Sequence, residues 1–149
     1  MASKSIFITG CSDGGIGAGL ALEAASRGLT VFAALRTPSK ASKELSQLSN
    51  VTLVSLDVTD SSAIAEAVKT VSNATGGKGL DILVNNAGIG CVMPILHAQI
   101  DTAKHVFDTN FFGPLALIQA FMPLLVKARG TVVNNSSVAS FFWSPWNGE

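Results

Sequence analysis

Short apolar runs alternate along this chain with longer segments in which apolar residues recur at helical spacing. The runs are SIFIT (Ser5–Thr9), TVFAAL (Thr30–Leu35), VTLVSL (Val51–Leu56), GLDILVNNAG (Gly79–Gly88) and TVVNNSS (Thr131–Ser137). They are short, β-rich and nearly unbroken in apolar character, as expected of strands covered on both faces. Between them the pattern predicts four helices. Ile16, Leu20 and Ala24 form a stripe in a helix that stops at Gly28, and KASKELSQL (Lys40–Leu48) is short and polar. DSSAIAEAVKTVSNA (Asp60–Ala74) is amphipathic with an Asp/Ser start, and one long helix spans residues 99–129. Strand and helix in strict alternation predict an α/β fold, a doubly wound parallel sheet with right-handed crossovers, ending after the fifth strand. The glycine-rich Ala74–Gly79 reads as a helix-to-strand loop rather than a boundary, so residues 1–149 read as one domain.

The first chemistry lies in ITGCSDGGIGAGL, a glycine cluster that follows a strand and opens a helix. In that context Gly10 permits a sharp exit from the strand, Gly15 lets main chain approach a diphosphate, and Gly17 lets the helix pack closely. The amides of the helix that starts at Ile16 would face the phosphates. An ordinary glycine-rich turn is the competing reading, and the placement favours a dinucleotide. At the end of the second strand Leu35 stands where an NAD-selective site holds an acid, and Arg36 follows. Arg36 is either a solvated strand-end residue or a fork for a 2′-phosphate, with Ser12 or Lys40 assisting. The missing acid favours the fork, and with it NADP(H).

Composition narrows the class further. Charged residues make up only 13% of the 149 residues, and ten basic residues balance ten acidic ones, which argues against nucleic acid or an anionic membrane as partner. Cys11 and Cys91 lack metal-ligand spacing, and their scarcity suits a reduced, cytoplasmic protein. The stretch Phe111–Val126 is interrupted by Pro114, Gln119 and Pro123, so it reads as a buried helix and no transmembrane segment is expected. Asn110 lies inside that long helix, where an amide is costly unless hydrogen-bonded. His97 and His105 have neither metal spacing nor a paired carboxylate and read as helix-surface or core residues. Phe141, Phe142, Trp143 and Trp146 would either wall a hydrophobic pocket or pack as a loop.

The motif T-G-x-x-x-x-G-I-G (Thr9–Gly17), then LDVTD, NNAG, FDTNFFGP and NNSS in that order, resembles the short-chain dehydrogenase/reductase family over nearly the whole chain. The glycine motif carries one extra residue, expected to reshape the loop near Asp13–Gly14; its T-G-C-S-x-G-G-I-G form is similar to fungal 1-acyldihydroxyacetone-phosphate reductases. The resemblance implies a Rossmann fold that reduces a ketone or aldehyde with NADPH, or runs the reverse oxidation. It implies cofactor contacts at Gly10, Ser12, Gly15, Ile16, Gly17, Arg36, Asp57, Val58, Asn85, Asn86, Ala87 and Gly88. Asn110 would hold a water for proton relay, and Ser137, beside Ser136, would bond the substrate carbonyl. Asn135 replaces a usual aliphatic residue. A tyrosine is expected about thirteen residues beyond Ser137 and a lysine four further on; the count runs past Glu149, and no tyrosine occurs in the chain. The expectation is therefore an N-terminal, truncated part, marginally stable alone. The alternative is a catalytically inactive nucleotide-binding protein or an interaction partner of an intact relative. Homo-oligomers through the helix at 99–129 and association with the endoplasmic reticulum or lipid droplets also follow from the resemblance.

Overall fold

The computed structural model describes residues 3–140. Five parallel strands form one sheet in the order β3-β2-β1-β4-β5. They are β1 (Ser5–Thr9), β2 (Thr30–Leu35), β3 (Val51–Ser55), β4 (Ile82–Asn85) and β5 (Thr131–Asn134). The helices are α1 (Ile16–Ser26), α2 (Lys43–Gln47), α3 (Ser61–Ala74), α4 (Ile100–Phe107) and α5 (Gly113–Ala128). Strand alternation sorts the core into two halves. Ile6, Ile8, Val31, Ala33 and Val84 face one side with Ala21 and Ala25 of α1 and Leu45 of α2. Phe7, Phe32, Ala34 and Leu83 face the other with Ile64, Ala67 and Val71 of α3 and Leu117, Phe121 and Leu125 of α5. The Phe7 and Phe121 rings meet there at 4.7 Å.

Two helices depart from the pattern read in the sequence. In α1 the large residues Ile16 and Leu20 are exposed, while Gly17, Ala18, Ala21 and Ala25 are buried. Burial follows the small residues because α1 lies close to the sheet. A Cβ on Gly17 would stand 2.5 Å from the Gly10 carbonyl oxygen. The long helix is also not uniform: a π-helical segment, Asp108–Phe112, separates α4 from α5. Pro114 has no N–H to give the Asn110 carbonyl, its partner in a regular α-helix, so the ladder widens there. The Gly113 N–H bonds to the Asp108 carbonyl instead. From Ile100 to Ala128 the helix is long and apolar enough to cross a membrane by length and composition, yet Leu117, Phe121, Leu124 and Leu125 are buried against the sheet.

The α3 start is as the sequence reads. Asp60 caps it, accepting from the Ser62 and Ala63 amides at 2.8 and 3.3 Å.

Candidate functional site

The strand order reverses between β1 and β4, and a cleft opens beyond their carboxyl ends. β1 delivers Thr9 and Gly10 to its floor, and Gly10 turns there with φ +75°. A Cβ on Gly10 would lie 3.0 Å from the Ala87 Cα, so neither the angle nor the space admits a side chain. Gly15 is the N-cap of α1 and offers no side chain to the first-turn amides, and no acidic residue lies in that turn. The helix start is thus uncapped and faces the cleft with its positive dipole end. At the extra residue, Gly14 is left-handed (φ +72°), and the Asp13 N–H donates to the Lys40 carbonyl at 2.9 Å, tying the turn to the segment after β2.

The cleft, about 320 Å³, is within the range of ligand pockets. Gly10, Ser12, Ile16, Arg36, Asp57, Val58, Asn86, Ala87 and Gly88 line it. Gly15 and Gly17 are not on its wall. Gly17 is buried beneath the turn, which brings α1 close. Asn85 goes elsewhere, since successive strand residues point to opposite faces. Lys40 meets the turn through its main chain and does not line the cleft. Leu35 is buried, Arg36 beside it is exposed, and among the described residues Arg36 has no ion pair. Asp57 Oδ1 accepts from the Thr59 N–H and hydroxyl at 3.0 and 2.7 Å. These bonds, the main-chain one foremost, hold its carboxyl below the usual range, and the Arg36 charge adds a smaller pull.

A second cavity, about 610 Å³, adjoins the first. Asn85, Asn134, Asn135, Ser136, Ser137 and Ser140 form one wall, and Asn110, Phe111, Pro114, Leu115 and Ile118 another. Asn86, Ala87, Gly88, Ile89 and Asn135 line both cavities. Ser137 Oγ accepts from the Ala139 N–H at 3.1 Å, which leaves its own proton free to donate. Both ends of the Asn110 amide are engaged: Oδ1 accepts from the Ile89 N–H at 2.9 Å and Nδ2 donates to the Ile89 carbonyl at 2.7 Å. Its side chain clamps the loop after β4, and the Asn110 group that Pro114 deprives of a donor is the main-chain carbonyl. Asn85 Oδ1 is buried without a hydrogen-bond partner among the described residues.

Three features escaped the sequence reading. Thr9 Oγ1 accepts from both the Asn86 and Ala87 amides at 2.9 Å, locking β4 to β1 at the cleft floor. His105 lines the cleft from the last turn of α4, a placement that only helix packing reveals. Cys11 is buried under the turn, and burial pushes its thiol up to about 12. Phe141, Phe142, Trp143 and Trp146 lie outside the described residues.

A parallel sheet of order 3-2-1-4-5 with a cleft at its switch point and a glycine turn at the first helix defines a doubly wound α/β protein of the Rossmann type. The chain belongs to the short chain dehydrogenase family, whose model matches residues 4–148. It is 47% identical over 148 residues to a short-chain dehydrogenase of Penicillium crustosum, covering 99% of this chain and 54% of that protein. It is 37% identical over 145 residues to the NADPH-dependent 1-acyldihydroxyacetone phosphate reductase of Schizosaccharomyces pombe, covering 94% of this chain and 46% of that one. Among solved structures, the NADPH-bound carbonyl reductase from chicken fatty liver superposes with a TM-score of 0.81 at 30% identity, over 93% of this chain and 61% of that one. The chain spans about half the length of the curated relatives it matches.

Proposed function

We propose that this chain is the cofactor-binding part of an NADP(H)-dependent oxidoreductase that interconverts a ketone or aldehyde and an alcohol. One observation carries the reading: the glycine-turn cleft and the serine cavity share a wall at Asn86–Ile89 and Asn135. A cofactor lying in the first would present its reactive end to a carbonyl in the second. NADPH, when bound, supplies the hydride. The free amides at the start of α1 hold the diphosphate, and Arg36 with Ser12 takes the 2′-phosphate. Asp57 and Val58 border the adenine.

Ser137 directs its free O–H at the carbonyl oxygen of the substrate and polarises it. The Asn110 main-chain carbonyl, stripped of its helical donor by Pro114, holds a water for proton relay while the side chain fixes Ile89. The proton donor that the family resemblance implies is a tyrosine, and none occurs among the 149 residues. The exposed Phe107, Phe111, Leu115, Met122 and Val126 of the long helix support self-association along it. The NADPH dependence of the S. pombe relative and the NADPH held by the chicken structure favour the phosphorylated cofactor.

The test is a fluorescence titration of the chain with NADPH and with NADH. Charged hydrogen bonds of the Arg36 kind typically contribute about 1.5–3 kcal/mol, so NADPH is expected to bind roughly tenfold to a hundredfold more tightly. Arg36→Asp abolishes that preference. Equal affinities in the unaltered chain would remove the 2′-phosphate assignment, and no binding of either cofactor at millimolar concentration would remove the whole reading.

A further inference from the structure

The carboxyl ends of β4 and β5 carry the same tripeptide in register: Val84, Asn85 and Asn86 on one strand, Val133, Asn134 and Asn135 on the other. Both asparagine positions pair across the strands. Asn85 Nδ2 donates to Asn134 Oδ1 at 2.8 Å, and Asn135 Nδ2 donates to Asn86 Oδ1 at 2.9 Å. Asn85 and Asn134 end their strands, and Asn86 and Asn135 are the first residues past them. The first pair lines only the serine cavity, whereas Asn86 and Asn135 line both cavities.

Asn86 passes the contact onward. Its Nδ2 donates to the Thr9 carbonyl at 2.7 Å, and its main-chain N–H donates to Thr9 Oγ1 at 2.9 Å. The amide is wedged into the glycine turn: a Cβ on Gly10 or Gly17 would lie 2.9 or 2.5 Å from Asn86 Nδ2. This contact has a polarity. With Nδ2 turned to the Thr9 carbonyl, Oδ1 must face Asn135, and only a donor at 135 completes that orientation. Reversing the Asn86 amide would set Oδ1 against the Thr9 carbonyl oxygen, two acceptors in contact. An aliphatic side chain at 135 fills space there without choosing between the two.

We propose that Asn135 is a positioning residue for the cofactor cleft: its amide holds Asn86 in the one orientation that pins the Thr9–Gly10 turn, so the serine turn and the glycine turn are braced as one unit. The brace stands on the geometry alone; its consequence for cofactor binding rests on the dinucleotide reading above. The brace also accounts for the asparagine at 135.

The test compares the full chain with Asn135→Val and Asn135→Asp, using hydrogen exchange without ligand and then NADPH titration. Aspartate is nearly isosteric but accepts only, so it opposes Asn86 Oδ1 and drives the amide around. Exchange at Cys11–Gly17 is expected to rise roughly threefold to tenfold in Asn135→Asp, about the effect of one lost hydrogen bond, and less in Asn135→Val. Exchange in the outer turns of α3, away from the pair and from the glycine turn, stays as in the unaltered chain and serves as the folding control. NADPH affinity falls in the same order. A shape-matching role for residue 135 predicts the reverse, with the near-isosteric aspartate harmless and valine disruptive, and that order would overturn the proposal. So would exchange at the glycine turn within twofold of the unaltered chain in both variants. Exchange that responds as described in a chain that does not bind NADPH upholds the brace and overturns the dinucleotide reading. If Asn135→Asp does not fold, Asn135→Val decides by the same exchange readout.

Discussion

Alanine at Gly17 tests the placement of α1 against the glycine turn. A Cβ there would meet the Gly10 carbonyl oxygen and Asn86 Nδ2 at 2.5 Å, and the Gly10 carbonyl carbon at 2.9 Å. Two of these three atoms are main chain, so relief requires the helix start and the turn to separate by roughly half an ångström or more, an overpacking that costs about 1–3 kcal/mol. Gly19, two residues on in the same helix, is exposed, and a Cβ there would have no neighbour within 4 Å. At that position the same change removes a flexible residue from a helix and is expected to stabilise by about 0.5–1 kcal/mol. The two variants therefore differ in sign. For a chain of this length each kcal/mol moves the Tm by about 2–4 °C, so thermal unfolding followed by circular dichroism separates them by at least about 3 °C. NADPH titration adds a second reading, since only Gly17→Ala displaces the amides of the turn. Equal Tm shifts in the two variants, or a stabilised Gly17→Ala, would refute the close approach of α1 on which the cleft depends.

Two further outcomes concern thiols and acid. Cys11 is fully buried and Cys91 partly exposed, so one thiol per native chain reacts with a disulfide reagent, and Cys91→Ser abolishes that reaction. Labelling of Cys11 in the native chain at a rate near that of Cys91 would contradict its burial. Burial raises the folded Cys11 thiol to about 12, above an unfolded value of about 8.5. Its contribution is therefore complete below about pH 8.5 and is lost as pH climbs toward 12, a decline that Cys11→Ala flattens in urea unfolding. Hydrogen bonds depress the folded pKa values of Asp57 (chiefly the Thr59 amide) and Asp60 (chiefly the Ser62 hydroxyl). Their contribution is present above the ordinary carboxylate value of about 3.9 and is lost as pH falls through the lower folded values. Asp60→Asn keeps a capping oxygen and makes the acid loss shallower; an unchanged acid profile would count against the cap as the cause.

The strands were legible because each is a short apolar run; β1, β2 and β4 are covered on both faces as that pattern implies, while β3 and β5 at the edges are partly exposed. The glycine turn was legible because a strand and a helix bracket it in the sequence. The face of α1 was not, since Ile16 and Leu20 form the more hydrophobic stripe while close packing selects Gly17, Ala21 and Ala25. Hydrophobicity ranks large side chains first; the distance between helix and sheet can rank them last. The π segment has its local cause in Pro114, but the clamp between Asn110 and Ile89, 21 residues apart, is a contact that no local pattern reports. The separation of Asn85 from Asn86 follows from strand alternation, which the motif read as a block conceals. The place of Asn135 emerges only when the two VNN segments are set in register.

The central claim is that the glycine-turn amides not taken by protein carbonyls, those at the start of α1 foremost, cradle the diphosphate of NADP(H). Its most direct test is a titration of the isotope-labelled chain with NADP⁺, followed amide by amide in ¹H–¹⁵N correlation spectra. Saturable shifts concentrated at Gly10–Gly17 and at Arg36, with the outer turns of α3 unmoved, are the predicted result. Saturable binding that leaves the glycine-turn amides in place, or no shift there at millimolar NADP⁺, would contradict it.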